Sequence, residues 1–178
     1  MDHHSGGQKA ENVVELVAYE EIHRQALLEL SIRAWAPVFP LMKTAVPRFV
    51  YESFYPQGWE TRQRTDIAQV LDEQPETIDV ATKGATPVGW VSTRIHPEDF
   101  MAEIYVLAVD PVHQGSGVAP LLLERSYERA RSSGMRMMMV ETVDDPGHAP
   151  ARGLYEASGF VRWPVARYFK DLSEDNES

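Results

Sequence analysis

The chain has 178 residues, 43% of them hydrophobic, a formal net charge of −10 and no cysteine. That length suits one compact domain with a proper core, and the missing cysteine excludes disulfides, thiol nucleophiles and Cys-based zinc sites. The acidic balance argues against nucleic acid, whose phosphates are held by clustered Lys and Arg, and no apolar run approaches the ~20 residues that span a bilayer.

In chain order, residues 1–10 are polar and carry no apolar signal region, so a disordered arm on a cytoplasmic protein is expected. His3 and His4 read as part of that arm, not as a metal site. Residues 13–18 (VVELVA) read as a first strand. Ile22, Ala26, Leu27 and Leu30 then follow helical spacing over 20–35. Residues 36–60 are dense in aromatics and prolines and predict a helix broken into short pieces. A further helix is expected from Glu60 to about Glu73, ahead of Pro75.

The period then changes to two. Residues 77–82 and 87–95, joined by a Lys83-Gly84 turn, predict a hairpin. The loop 96–100, with His96, leads to a strand at 101–109. Ala119, Leu122, Leu123, Tyr127 and Ala130 share one helix face, and Gly134 caps that helix. Residues 135–142, with a methionine run, predict a buried strand. A loop (DDPGHAP), a short helix (ARGLYEAS) and one or two closing strands in FVRWPVARYFKDL complete the chain, before an acidic disordered tail at 173–178. The result is a single domain over 11–172, α/β (α+β), with a mixed central β-sheet flanked by helices. The crossover from 101–109 to 135–142 makes those strands parallel neighbours.

The sharpest local signal is the turn QGSGVAP, residues 114–120. A mononucleotide P-loop needs Lys and Ser or Thr after its last glycine, and Val118-Ala119-Pro120 stands there instead. A dinucleotide fingerprint needs a small residue where Pro120 stands. A plain strand-to-helix turn remains open on the glycines alone. The remaining reading is an anion cradle: Gly117 lets the backbone approach closely, the N–H groups of 115–119 point at one anion, and the helix dipole adds to them. Pro120, in the first helical turn, costs no hydrogen bond. Such a cradle suits a pyrophosphate without a metal ion.

Two separated motifs carry a resemblance. AEIYVLAVDPVHQGSGVAPLLLE (102–124) and GHAPARGLYEASGF (147–160) are similar to the two cofactor segments of the GNAT superfamily of acetyl-CoA-dependent N-acetyltransferases. The resemblance implies the GNAT-type acyl-CoA N-acyltransferase fold, with splayed parallel strands, and acetyl-CoA as donor in direct transfer to an amine. It assigns cofactor binding to Gln114, Gly115, Ser116, Gly117, Val118 and Ala119, and to the strand end Leu107-Ala108-Val109, whose backbone would pair with the pantetheine arm like an added strand. His148 stands where the family commonly has Asn; it would bond the pantetheine or order the loop, with a general-base role as the alternative.

Acetyl transfer to an amine needs a base for the amine and a proton for the departing thiolate. Glu103, in an apolar strand on the alternation face of Tyr105 and Leu107, is the candidate base; the alternative is an ion pair with Arg94 or Arg136. Tyr155 is the candidate acid and cofactor contact, with core packing as its alternative. Trp35, Phe39 and Tyr55, with Glu103, are candidate acceptor-binding residues, though the same aromatics equally fit the core of broken helices.

Acidic loop residues Glu98, Asp99, Asp144 and Asp145 favour a small, polar, cationic amine: an aminoglycoside-like antibiotic, a polyamine or an amino-sugar compound. A protein lysine or N-terminus is the alternative acceptor, and a non-catalytic acetyl-CoA sensor is the alternative function. Dimers are common in the family, and no residue pattern here decides between a monomer and a homodimer.

Overall fold

The computed structural model describes residues 13–173. The expected arm, 1–10, and the expected tail beyond Ser173 lie outside the described residues. In chain order the main elements are β1 (Val14–Ala18), α1 (Arg24–Trp35), α2 (Val38–Ala45), α3 (Arg48–Phe54), α4 (Trp59–Glu73), β2 (Ile78–Lys83), β3 (Thr86–His96), β4 (Met101–Val109), α5 (Val118–Ser132), β5 (Met137–Val140) and α6 (Ala149–Ala157). Two compact units divide them: the chain up to Ala36 with Gln63–Glu141, and Pro37–Arg62 with the chain from Thr142 onward.

The first unit holds a five-stranded mixed sheet in the order β1-β2-β3-β4-β5. The first three pairings are antiparallel, and β4–β5 is parallel, as the long crossover through α5 requires. Alternation sends successive side chains to opposite faces. Ile78, Val80 and Trp90 join Leu27, Leu30, Ile67 and Leu71 in a core under α1 and α4. Trp90, fully buried, donates its indole N–H to Ser31 Oγ at 2.9 Å. The residues between face α5. Thr93 bonds Ser126 at 2.9 Å, and the buried Asp79 takes Arg125 at 3.0 Å and Arg129 at 2.8 Å. Gly89 lets α5 come close: a Cβ there would sit 3.0 Å from both the Ala108 carbonyl and Val118 Cγ1.

In the second unit, prolines set the breaks, with Pro37 and Pro47 at the N-caps of α2 and α3. Phe39, buried, stacks on Trp59 at 4.3 Å and meets Tyr55 edge-on at 5.3 Å. Gly147 lies against α2, where a Cβ would stand 2.6 Å from the Val38 carbonyl.

Two expectations fail. The closing strands are absent among the described residues, and 160–172 is irregular. Val161, Trp163 and Val165 alternate like a strand yet are 81–94% exposed, and Pro164 removes an N–H from any ladder. The methionine strand is an edge, not buried: β5 is four residues long, and Met137 is 53% exposed.

Candidate active site

The glycine turn gathers backbone N–H groups at the start of α5. Asp110 caps the 3-10 turn Pro111–His113 by accepting the Val112 N–H, and Arg33 of α1 clamps its other oxygen at 2.5 Å. Burial pushes the Asp110 carboxyl up, but the Arg33 and Val112 bonds outweigh it and hold it below the usual range. Gly115 and Gly117 take φ of 74° and 89°, left-handed values that L side chains resist. The turn runs into α5 with Gly117 at its N-cap. The N–H groups of Gly115, Ser116, Gly117, Val118 and Ala119 have no acceptor among the described residues. Five free donors at a helix start suit a pyrophosphate. The Val118 side chain is buried, so only its backbone faces a ligand. The Gln114 amide is spent on the Val109 carbonyl at 3.2 Å, fastening the turn to the strand end.

Beside the turn, β4 carries a bulge. Ser92 pairs with Val106 and Thr93 with Ile104, leaving Tyr105 as the extra residue. β5 pairs with β4 only from Met101 to Ile104. Past the bulge that edge has no strand beside it among the described residues. The strands therefore splay, and the stretch through Leu107, Ala108 and Val109 offers backbone to an extended ligand. Ala108 and Val109 bury their side chains, which leaves backbone as their means of contact.

The bulge also corrects the expected face. Glu103 pairs with Arg94, but Leu107 pairs with Val91, whose side chain points to the opposite face. The extra residue at 105 swaps the parity, so Glu103 shares its face with Val106 and Ala108, not Leu107. The expected Arg partners are engaged elsewhere. Arg94 bonds Gln74 at 2.7 Å and lies over the Tyr105 ring at 3.0 Å from its centroid, while Arg136 covers Phe100. The partner of Glu103 is His96, the last residue of β3, whose Nε2 stands 2.9 Å from Glu103 Oε2. The expected hairpin ends at residue 95 with His96 in the following loop, but β3 runs on to His96, which pairs with Met101. Glu103 is 17% exposed, and Glu98 sits 3.9 Å from the other imidazole nitrogen.

In the second unit, Asp145 is buried. It accepts the Gly147 N–H at 2.7 Å on one oxygen and holds His148 Nδ1 at 2.5 Å on the other. Arg152 of α6 fastens this loop through the carbonyls of Val143 and Asp145. Tyr155 packs edge-on against Phe160. Burial pushes its phenol up to about 12, so it keeps its proton at neutral pH and acts as a donor. Phe39 and Tyr55 are held in the aromatic cluster, which favours a packing role for Phe39. Trp35, at the end of α1, packs on the core of the first unit. His113 lies in the 3-10 turn and accepts the Ser116 hydroxyl on its carbonyl. No cluster of metal-ligating side chains occurs among the described residues.

A five-stranded mixed sheet that opens past the bulge in β4, with a run of unpaired N–H groups at the start of α5, frames the candidate site. The family model for the acetyltransferase (GNAT) family matches residues 46–160, and the chain belongs to that family. A mycothiol acetyltransferase from Thermomonospora curvata is 33% identical over 91 residues, which is 51% of this chain and 30% of that protein. The matches to such curated relatives cover about a third of their length. Among solved structures, an aminoglycoside N-acetyltransferase in complex with CoA superposes with a TM-score of 0.59 at 13% identity, covering 90% of this chain and 95% of that one. The ribosomal-protein-S18-alanine N-acetyltransferase of Escherichia coli gives 0.60 at 20% identity, covering 90% and 86%. These two share the fold and carry different acceptors in their names.

Proposed function

We propose that residues 11–172 act as one N-acetyltransferase domain that moves the acetyl group of acetyl-CoA directly to a primary amine. The acceptor is a small, polar, cationic molecule. The observation that carries the donor side is the five free N–H groups at 115–119 next to the unpaired stretch of β4. The cradle fits the pyrophosphate, and the open edge fits the amide-bearing arm. Bound acetyl-CoA supplies an activated thioester and a thiol leaving group. Glu103, held by His96, takes a proton from the amine. Tyr155 gives its phenolic proton to the sulfur and takes one back afterwards.

The acceptor reading rests on charge. Glu98 and Glu103 flank His96, and Asp99 lies in the same 3-10 turn as Glu98. Two carboxylates around one imidazole leave local negative charge for an ammonium group. The relatives named for mycothiol also point to a small molecule. The test is acetyl-CoA-dependent thiol release across aminoglycosides, polyamines, amino acids and peptides. Turnover of a small polycationic amine, weakening steeply with salt, is the expected result. Preference for peptides would overturn the acceptor, and no turnover of any amine would overturn the activity.

A further inference from the structure

Trp90, Ser92, Arg94 and His96 alternate onto the face of β3 that α1 and α4 cover. Trp90 and Ser92 are buried there, bonded to Ser31 and Thr77. Arg94 and His96 lie further along the strand and are half-buried. Glu103 stands directly across from Arg94 in the β3–β4 register, on the same face. All of these residues belong to the first unit.

Opposite charges directly across a strand pair attract, and an ion pair is the ordinary outcome. None joins Arg94 to Glu103. Glu103 turns Oε2 to His96 Nε2 at 2.9 Å, and its Oε1 has no partner among the described residues. Arg94 donates its Nε–H to Gln74 Oε1 at 2.7 Å and lays its guanidinium on the Tyr105 ring. These contacts fix the guanidinium plane without using its fork. The Nη1 and Nη2 hydrogens have no acceptor among the described residues. An arginine with a purely structural role here would set that fork on the carboxylate opposite. The platform under it is the extra residue of the β4 bulge, so the same irregularity that opens the sheet also holds Arg94 off Glu103. One face of the sheet thus presents a free carboxylate oxygen beside a free guanidinium fork.

A guanidinium carries donors and no acceptor, so it bonds an oxygen and repels a second cation. With the acceptor's amine at Glu103, the group that meets Arg94 belongs to the same molecule and lies close to that amine. Glu98 and Glu103 around His96 disfavour a carboxylate there. A hydroxyl is neutral and has lone pairs for the fork. We propose that Arg94 selects acceptors in which a hydroxyl stands beside the reacting amine: amino alcohols of the amino-sugar kind, against polyamines, whose next polar group is another ammonium. This selection rests on the acetyl-transfer reading above, with Glu103 at the amine.

Arg94→Gln tests it on matched acceptors. The pairs are 2-aminocyclohexanol with cyclohexylamine and glucosamine with 3-deoxyglucosamine, beside spermidine and alanine. The wild type is expected to favour the hydroxylated member of each pair by about 10- to 100-fold in kcat/KM, as hydrogen bonds to a charged group imply. In Arg94→Gln that preference is expected to fall below about threefold, with the loss in KM rather than in kcat. A merely structural role would slow both members of a pair alike and leave their ratio unmoved. Should Arg94→Gln fail to fold, Arg94→Lys serves: it keeps the charge, loses the fork and is expected to lose most of the preference. A hydroxyl preference that survives the substitution, a wild type that favours spermidine or alanine, or one that acetylates other amines but none of the hydroxylated probes overturns the selection alone. No turnover of any amine by the wild type overturns the selection together with the activity.

Discussion

Gly117→Ala tests the cradle most sharply, because its effects on folding and on binding separate. Gly117 sits at φ 89° with nothing within 4 Å of an added Cβ. The cost to the free protein is therefore backbone strain, about 1–2 kcal/mol for an L residue in the left-handed region. The stiffer unfolded chain returns about 0.4–1 kcal/mol of that. The net loss is about 1 kcal/mol, a fall of roughly 2–4 °C in Tm for a chain of this size. Binding is affected separately, since residue 117 is the N-cap of α5 and a methyl there adds bulk and backbone strain within the run of N–H groups. Losing one backbone bond to a charged phosphate costs about 1.5–3 kcal/mol, or roughly a 10- to 100-fold rise in Kd. Gly134→Ala is the internal control, with φ 75° and equally open space at the other end of α5. Thermal melts should show similar losses for both variants. Calorimetry with coenzyme A should show weakened binding for Gly117→Ala only. Equal Kd values for the two variants would refute the cradle.

Glu103→Gln and Tyr155→Phe should each lower kcat by ~10²–10⁴ while leaving the coenzyme A affinity nearly unchanged; full turnover by both would remove them from the chemistry. Asp79→Ala strips the buried anchor from Arg125 and Arg129, which are 43% and 27% exposed and can turn to water. The loss should therefore fall near the low end for a broken buried pair, about 3 kcal/mol, or ~6–12 °C in Tm. A shift under about 2 °C would show that α5 is held by its apolar face alone. Gly89→Ala drives a methyl against the Ala108 carbonyl and Val118 and should cost ~1–3 kcal/mol in chemical denaturation; a neutral result would mean that α5 yields freely. Tyr155, raised from 10.0 to about 12, keeps its proton longer in the folded state. Stability linked to it is intact below pH 10 and lost as pH rises toward 12, so Tyr155→Phe should flatten that alkaline slope. An unchanged slope would contradict its burial.

The sheet and its crossover were legible because their signals are local. The alternation in 87–95, the apolar run 101–109 and the helix spacing after Gly117 each match an observed element closely. The tight turn before α5 was legible for the same reason, since Gly115 and Gly117 stand where φ turns positive. What escaped depends on pairing across the chain. The bulge at Tyr105 exists only against β3, and it reassigned the face of Leu107. His96 became the partner of Glu103 because antiparallel register brings residues 96 and 103 to diagonal positions, which no single-segment pattern reveals. Likewise Asp145 read as one acidic loop residue among four, although the aspartate three residues before His148 was there to suggest a local bond. Residues 160–172 show the reverse error, where alternation without a neighbouring edge left an irregular, exposed segment.

The central claim is that the acetyl donor lies on the 115–119 turn and along β4 past its bulge. Backbone amide spectra titrated with coenzyme A test it directly. The largest shifts are expected at Gly115 to Ala119 and at 105–109, with β1, on the far edge of the sheet, unmoved. Binding that leaves the turn unshifted, or no saturable binding, would contradict the account.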